Sequence, residues 1–369
     1  MRFLFVVPPF PGHVNPLVAV AAELRSAGHA VAWSGAPEVV EPLAGEPVLR
    51  AAVPPVPARP DGLQGFAALK FLWEQVLVPL AEAMAPGVAA AVREFGPDVV
   101  VADQQAFAGA LVAERLGVAW ATSASTSSEL ADPLAGLPKL VRWRADLLAD
   151  LGERLGASVP DPRFSPRLVL AFSTAELAGP DHPEVTFVGP ALGPRPEVDF
   201  PWPELDPSRA LVPVTLGTVN AGAGFLAECA TALRERAGRV QAVIADPAGT
   251  LEAPGALVRR SLPQLALLAR ASAVVCHGGH NTVCEALYHG LPLVVAPIRD
   301  DQPVIAEQVV TAGAGVRLRF ARARASHIGA AVDQVLDDPQ YRTAARRVAD
   351  SFRTAGGAPA AAAALEAVG

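Results

Sequence analysis

Cysteine is scarce in this chain. Three residues of 369, Cys229, Cys276 and Cys284, lie at spacings that form no zinc motif and cannot all pair. A disulfide scaffold is therefore excluded, and a reducing, cytoplasmic setting is expected. Charge is sparse as well, at 18% of residues with a formal net charge of −7. Nucleic acid is thereby excluded as a bulk partner, because binding a phosphate backbone needs a basic surface. One small phosphate-bearing ligand needs only a local site. Long hydrophobic runs are missing too. The apolar start is short and ends at Pro8, Pro9 and Pro11 with no cleavage-site pattern, so no signal peptide is expected. No run of 18 residues reads as free of polar breaks, so no stable membrane insertion is expected. The loop after the first strand-like run lacks G-x-G-x-x-G, which argues against a dinucleotide dehydrogenase.

What is present is apolar material. Hydrophobic residues make up 51% of the chain, and the length suits two domains. Residues 3–7 read as a strand, followed by a Pro/Gly loop, a helix at about 16–27 closed by Gly28, and a second strand at 30–33. This is the β-loop-α-β unit of a parallel, doubly wound sheet. Residues 99–102 form an apolar run typical of a strand covered on both faces. A helix at about 106–116 and a strand at 118–122 follow. Residues 65–92 are helix-like and rich in large apolar groups, with Pro79 expected to kink or divide them. Residues 189–207 carry six prolines and read as an extended, stiff connection. Beyond it the pattern restarts: strands at 211–216 (against Pro213), 240–244, 273–276, 293–296 and 315–318, with helices between. We expect an N-terminal domain over 1–195, a linker over 196–208 and a C-terminal domain over 209–369, its last helix free to pack back on the first domain. Both read as Rossmann-like α/β domains facing each other across a cleft, with ligands at the carboxyl ends of strands.

Residues 276–302 concentrate the chemistry. A strand ends at Cys276. His277, Gly278 and Gly279 make a tight turn whose backbone can approach a ligand closely, and Asn281 and Thr282 open a helix. Free N–H groups at a helix N-terminus suit a diphosphate. Glu285, one turn in, can reach ribose hydroxyls, and Asp301 and Gln302 offer polar groups to sugar hydroxyls. Asp300 and Asp301 are adjacent and lack a surrounding cluster, so no metal site is expected.

This segment resembles the donor signature of family 1 glycosyltransferases of the GT-B fold, especially actinobacterial enzymes that decorate natural products. Other markers fall in order along nearly the whole chain. His13 lies in Phe10-Pro11-Gly12-His13-Val14-Asn15-Pro16, similar to the family's catalytic-histidine loop, and Asp103 ends a strand where the family keeps that histidine's partner. Thr215-Leu216-Gly217-Thr218 is similar to its phosphate-contacting loop, and residues 262–268, with Leu262 and Gln264, to its base-binding segment. The resemblance implies that His277, Thr218, Thr282 and the backbone near Gly279 and Asn281 meet the diphosphate. It implies that Glu285 holds the ribose, Leu262 the base edge, and Asp301 and Gln302 the hexose. Ser261 departs from the pattern, since many relatives carry an aromatic there that stacks on the base.

The implied reaction is inverting transfer from a dTDP- or UDP-sugar to a hydroxyl or nitrogen of a bulky apolar secondary metabolite. His13 would be the general base and Asp103 its orienting carboxylate, with no cofactor and no metal. Phe66, Phe71, Trp73, Phe107 and Trp143 are the candidate acceptor-binding residues. The chain is expected to act as a monomer or homodimer. Rival readings are an epimerase or phosphorylase of the same fold and a non-catalytic nucleotide-sugar binding protein. The latter would be expected to lack His13 or Asp103.

Overall fold

Alternation along β1 (Arg2–Val6) shows how the first domain is built. Phe3 and Phe5 enter one apolar core, while Leu4 and Val6 enter another on the opposite face. A strand buried on both faces is the signature of a parallel sheet sandwiched by helices. The computed structural model describes residues 1–60, 63, 65–130, 134–179, 184–195, 197–217, 220 and 222–369. Among these, β1 joins β2 (Ala30–Gly35), β3 (Leu49–Arg50), β4 (Val99–Asp103), β5 (Ala119–Ala124), β6 (Val169–Ala171) and β7 (Val185–Phe187). They form one sheet in the order β3-β2-β1-β4-β5-β6-β7. All its pairings are parallel, with Phe3 opposite Val99 and Asp103 opposite Ser123.

The second domain repeats the scheme with β8 (Ala210–Thr215), β9 (Val240–Ala245), β10 (Leu257–Arg259), β11 (Val274–Cys276), β12 (Leu293–Val295) and β13 (Gly315–Arg317). Its order is β10-β9-β8-β11-β12-β13, again all parallel. Strand order reverses between β1 and β4 in the first sheet and between β8 and β11 in the second. Loops diverge at such a point and leave a crevice at the carboxyl ends of the strands.

Several boundaries differ from the sequence reading. The first helix begins at Pro11, five residues early, because proline at the first helical position loses no hydrogen bond. Pro213 lies inside β8, a central strand, where it pairs in register with Val243. Pro79 does not divide its helix. A π-helical turn over Leu72–Leu77 precedes it, with the Val78 N–H reaching back to the Trp73 carbonyl, and an α-helix continues over Val78–Phe95. The wider turn accommodates the donor that proline lacks. The whole segment Gly65–Phe95 is, contrary to expectation, long and apolar enough to span a membrane; most of its apolar stretch is buried within the first domain.

The chain divides into one unit of Met1–Thr174, Asp181–Arg195 and Ala355–Gly369, and another of Ala175–Pro180 and Pro196–Thr354. Residues 355–369, with the last helix, group with the first unit. The reason is apolar: Ala358, Ala361, Ala362 and Leu365 of the helix Gly357–Glu366 share a core with Leu17, Val20 and Leu24. Residues 197–208 are anchored on the second unit. Phe200 packs with Leu211, Val243 and Leu267, and the Gln241 side chain accepts from the Asp206 N–H at 2.8 Å.

Candidate functional site

Two groups of polar side chains sit at the two switch points. In the first domain His13 occupies the first turn of the helix Pro11–Ser26, directly after β1, and Asp103 is the last residue of β4. The fold therefore joins residues 90 apart in sequence: His13 Nδ1 lies 2.9 Å from Asp103 Oδ1. Asp103 is fully buried and His13 keeps 16% of its side-chain surface exposed. Oδ1 also accepts from the Gln105 N–H at 2.9 Å, while Oδ2 is buried without a partner. Leaving a buried acceptor unmet costs about 1–3 kcal/mol. Ser125, just past β5, contributes a third contact, with Oγ 2.7 Å from His13 Nδ1. The sequence reading missed it. The available signal was the hydroxyl-rich run 122–128 at the end of the strand beside β4.

In the second domain the turn after β11 carries His277, and the helix His280–Tyr288 begins immediately after Gly279. Its start lies one residue before the expected Asn281–Thr282 opening. The imidazole is wedged between glycines. A Cβ on Gly217 would lie 3.0 Å from Cε1 of His277, and one on Gly279 would collide with Nε2. Burial pushes the His277 imidazole down to about 4; a hydrogen bond to the Thr215 carbonyl opposes this and the Arg299 charge adds to it. The ring is therefore neutral near pH 7. Its Nδ1 is buried without a hydrogen-bond partner. The helix N-terminus, with room made by glycine, is a cradle with capacity for an anion, and the orphaned Nδ1 adds a donor to it once the ring takes up a proton.

The remaining donor-side residues arrange themselves around this turn. Gln264 Nε2 donates to Glu285 Oε2 at 2.6 Å, which ties the segment around Leu262 to the buried carboxylate one turn into the helix. Leu262 itself packs against the Phe200 core. Thr282 is buried in the first turn of the helix, beside Asn281. Gln302 spends its side-chain oxygen on the N–H groups of Ile298 and Arg299, at 2.9 and 3.1 Å, and so shapes the loop after β12. Asp301 stands at the N-terminal boundary of the next helix without a side-chain cap bond, and Asp300 before it has a φ of 55°, the one left-handed non-glycine position among the described residues. Thr218 lies outside the described residues. Arg299 was not singled out from sequence; its Nε donates to Asn220 Oδ1 at 3.0 Å, bringing a cation to the end of the sheet that holds His277. Among the described residues, no three His, Cys, Asp or Glu side chains gather as a metal site.

The expected acceptor aromatics separate into two sets. Trp73 and Phe107 are 2% and 0% exposed and pack with Leu77, Leu111, Leu148 and Leu151, so they are core and present no surface to a ligand. Helical periodicity alone could not tell that face from a pocket wall. Phe66 is exposed and meets Trp143 edge-to-face at 5.4 Å, and Phe71 is half-buried nearby in sequence. Trp143 donates to Glu74 at 3.0 Å and lines an open groove with Lys139, Arg142 and Asp146.

Two parallel α/β domains with polar clusters at both switch points define a class of enzyme, and comparison with known proteins agrees. Residues 239–366 match the erythromycin biosynthesis protein CIII-like C-terminal domain. The chain is 34% identical to 4'-demethylrebeccamycin synthase of Lentzea aerocolonigenes over 95% of both chains. It is 29% identical to the NDP-glycosyltransferase YjiC of Bacillus subtilis, over 97% of this chain and 95% of that one. Among solved structures, the spinosyn rhamnosyltransferase SpnG complexed with thymidine diphosphate superimposes with a TM-score of 0.81 at 26% identity, covering 99% of this chain and 100% of that one. The chain belongs to the family 1 glycosyltransferases and has the GT-B fold. It is a glycosyltransferase, similar to enzymes of natural-product pathways.

Proposed function

We propose that the enzyme transfers a hexose or deoxyhexose, with inversion and without a metal, from a dTDP- or UDP-sugar to a hydroxyl or nitrogen of a bulky apolar aglycone. The observation that carries this reading is the 2.9 Å contact of His13 Nδ1 with buried Asp103. The carboxylate holds the proton on Nδ1 and leaves Nε2 as the basic nitrogen. An acceptor O–H or N–H gives its proton to Nε2 as its lone pair attacks the anomeric carbon. The bond from that carbon to the diphosphate breaks on the opposite face, and the electron pair leaves with the diphosphate. Charge growing on the leaving group is met by the helix start at His280, by His277 and by the Arg299 guanidinium. These groups take the electrostatic part that a divalent cation plays elsewhere. The thymidine diphosphate bound to the similar rhamnosyltransferase supports a dTDP donor, and the likeness to a rebeccamycin synthase supports a large acceptor.

The test is His13→Ala. Its kcat is expected to fall by about 10²–10⁴, the usual contribution of a positioned base. Nucleoside-diphosphate affinity should stay at the wild-type value, because the phosphate cradle belongs to the other domain. Near-wild-type turnover of an alcohol acceptor by the variant would overturn the assignment.

A further inference from the structure

Two oxygens meet at one nitrogen. His13 Nδ1 has Asp103 Oδ1 at 2.9 Å and Ser125 Oγ at 2.7 Å. A serine, a histidine and an aspartate in contact suggest a hydrolase triad, but the geometry argues otherwise. In such a triad the carboxylate holds one ring nitrogen and the serine hydroxyl faces the other, so that its proton can move to the free lone pair. Here both oxygens address Nδ1. Ser125 therefore cannot be activated by the nitrogen that takes up a proton, and nucleophilic chemistry at Oγ does not follow.

Counting protons gives Ser125 a different part. A lone pair on Nδ1 would point at a carboxylate oxygen 2.9 Å away, so Nδ1 carries hydrogen. That single N–H is shared between Oδ1 and Oγ, and Ser125 accepts. Oδ1 is already committed to the Gln105 N–H at 2.9 Å, which weakens its hold on the ring and makes a second acceptor consequential. Ser125 is 4% exposed and Asp103 0%, so both oxygens are fixed by the fold rather than supplied by solvent. Register explains the placement: Asp103 pairs with Ser123 across β4 and β5, and Ser125 lies two residues further along the same strand end.

We propose, building on the reading of His13 as the base, that Ser125 is a positioning residue for it. Its Oγ accepts the second share of the Nδ1–H bond, fixes the ring rotation and tautomer, and stabilises the imidazolium formed as the acceptor proton reaches Nε2. A hydrogen bond strengthens when its donor becomes charged, so Ser125 favours the protonated ring more than the neutral one.

The experiment is the pH dependence of kcat for wild type, Ser125→Ala and Ser125→Thr with an alcohol acceptor and saturating donor. Ser125→Ala is expected to lower kcat about 3–30-fold and to move the acidic limb down by about 0.5–1 pH, because the imidazolium loses an acceptor. Nucleoside-diphosphate affinity should not change. Ser125→Thr keeps an oxygen at the same place and is expected to restore the limb. A slower Ser125→Ala enzyme with an unmoved limb, unrestored by Ser125→Thr, would reduce Ser125 to packing and overturn the proposal. So would unchanged kcat and limb in Ser125→Ala. The two readings separate cleanly. Normal turnover by His13→Ala removes the base and Ser125 with it, whereas a crippled His13→Ala beside an unmoved Ser125→Ala limb removes Ser125 alone.

Discussion

The neutral, buried imidazole of His277 makes a quantitative statement about both stability and donor binding. Burial, aided by the Arg299 charge and opposed by the hydrogen bond to the Thr215 carbonyl, brings its pKa to about 4 in the folded protein. In the unfolded chain a histidine titrates near 6.5. Between these values the unfolded state takes up a proton that the folded state refuses. Stability from this residue is therefore complete above about pH 7.5, declines as pH falls through 6.5, and is gone near pH 4. The full window is worth about 3 kcal/mol, and about 2 kcal/mol is lost by pH 5. For a domain of this size that corresponds to roughly 4–8 °C in Tm. Calorimetry of wild type and His277→Asn at pH 7.5 and pH 5 measures it, since the other titrating groups are common to both. The wild-type drop in Tm should exceed the variant's by that amount. Nucleoside diphosphate adds a second readout. An anion against the ring favours imidazolium, so binding draws in a proton and wild-type affinity should gain on the variant as pH falls. If the bound ring regains a value near 6.5, the gain from pH 7.5 to pH 5 is about 10-fold or more. Parallel Tm profiles would refute the buried neutral state, and a pH-independent affinity ratio would take the diphosphate away from His277.

Three further outcomes follow from the same site. Gly279→Ala places a methyl group against His277 Nε2 and should weaken nucleoside-diphosphate binding at least about 10-fold by titration calorimetry, with roughly 1–3 kcal/mol of stability lost to overpacking; unchanged affinity would mean that the ring swings aside freely. Gln302→Ala releases the N–H groups of Ile298 and Arg299 and should raise the donor KM more than the Kd of free nucleoside diphosphate, whereas equal losses would place the loop at the phosphates rather than the hexose. Activity should survive exhaustive chelation; loss with EDTA and recovery with magnesium or manganese would overturn the metal-free reading.

The strands that carry the site were legible because a doubly covered strand is apolar on both faces. Residues 99–102 and 240–244 announced themselves in this way. The His277-Gly278-Gly279 turn was legible because its parts are contiguous and each has one physical purpose. The contacts that complete the site were not. Ser125 and His13 are 112 residues apart, and Arg299 and Asn220 are 79 apart, so sheet order rather than local pattern brings them together. The strands Val185–Phe187 and Leu257–Arg259 are only partly buried, so they lack the apolar run that announced the equally short strands Val274–Cys276 and Leu293–Val295. Pro213 and Pro79 read as breakers, because the sequence does not reveal that a neighbouring ladder or a wider turn will absorb the missing donor. Trp73 and Trp143 show the same limit from the other side: two tryptophans of one apolar cluster, one sealed in the core and the other beside a groove.

The return of Ala355–Gly369 to the first unit bears on how the protein is made. During synthesis the ribosome releases the first 174 residues with a face of the helix Pro11–Ser26 still uncovered. Leu17, Val20 and Leu24 must wait for Ala361 and Leu365, which emerge only after the whole second unit. The first sheet has all seven strands by residue 187, but the last wall of its core emerges only after the second unit is complete. A nascent chain stalled before residue 355 would carry an exposed apolar stripe, a natural target for chaperones. A recombinant first domain cut at residue 195 would inherit the same defect permanently, whereas one with residues 355–369 fused behind a flexible spacer would regain its missing wall.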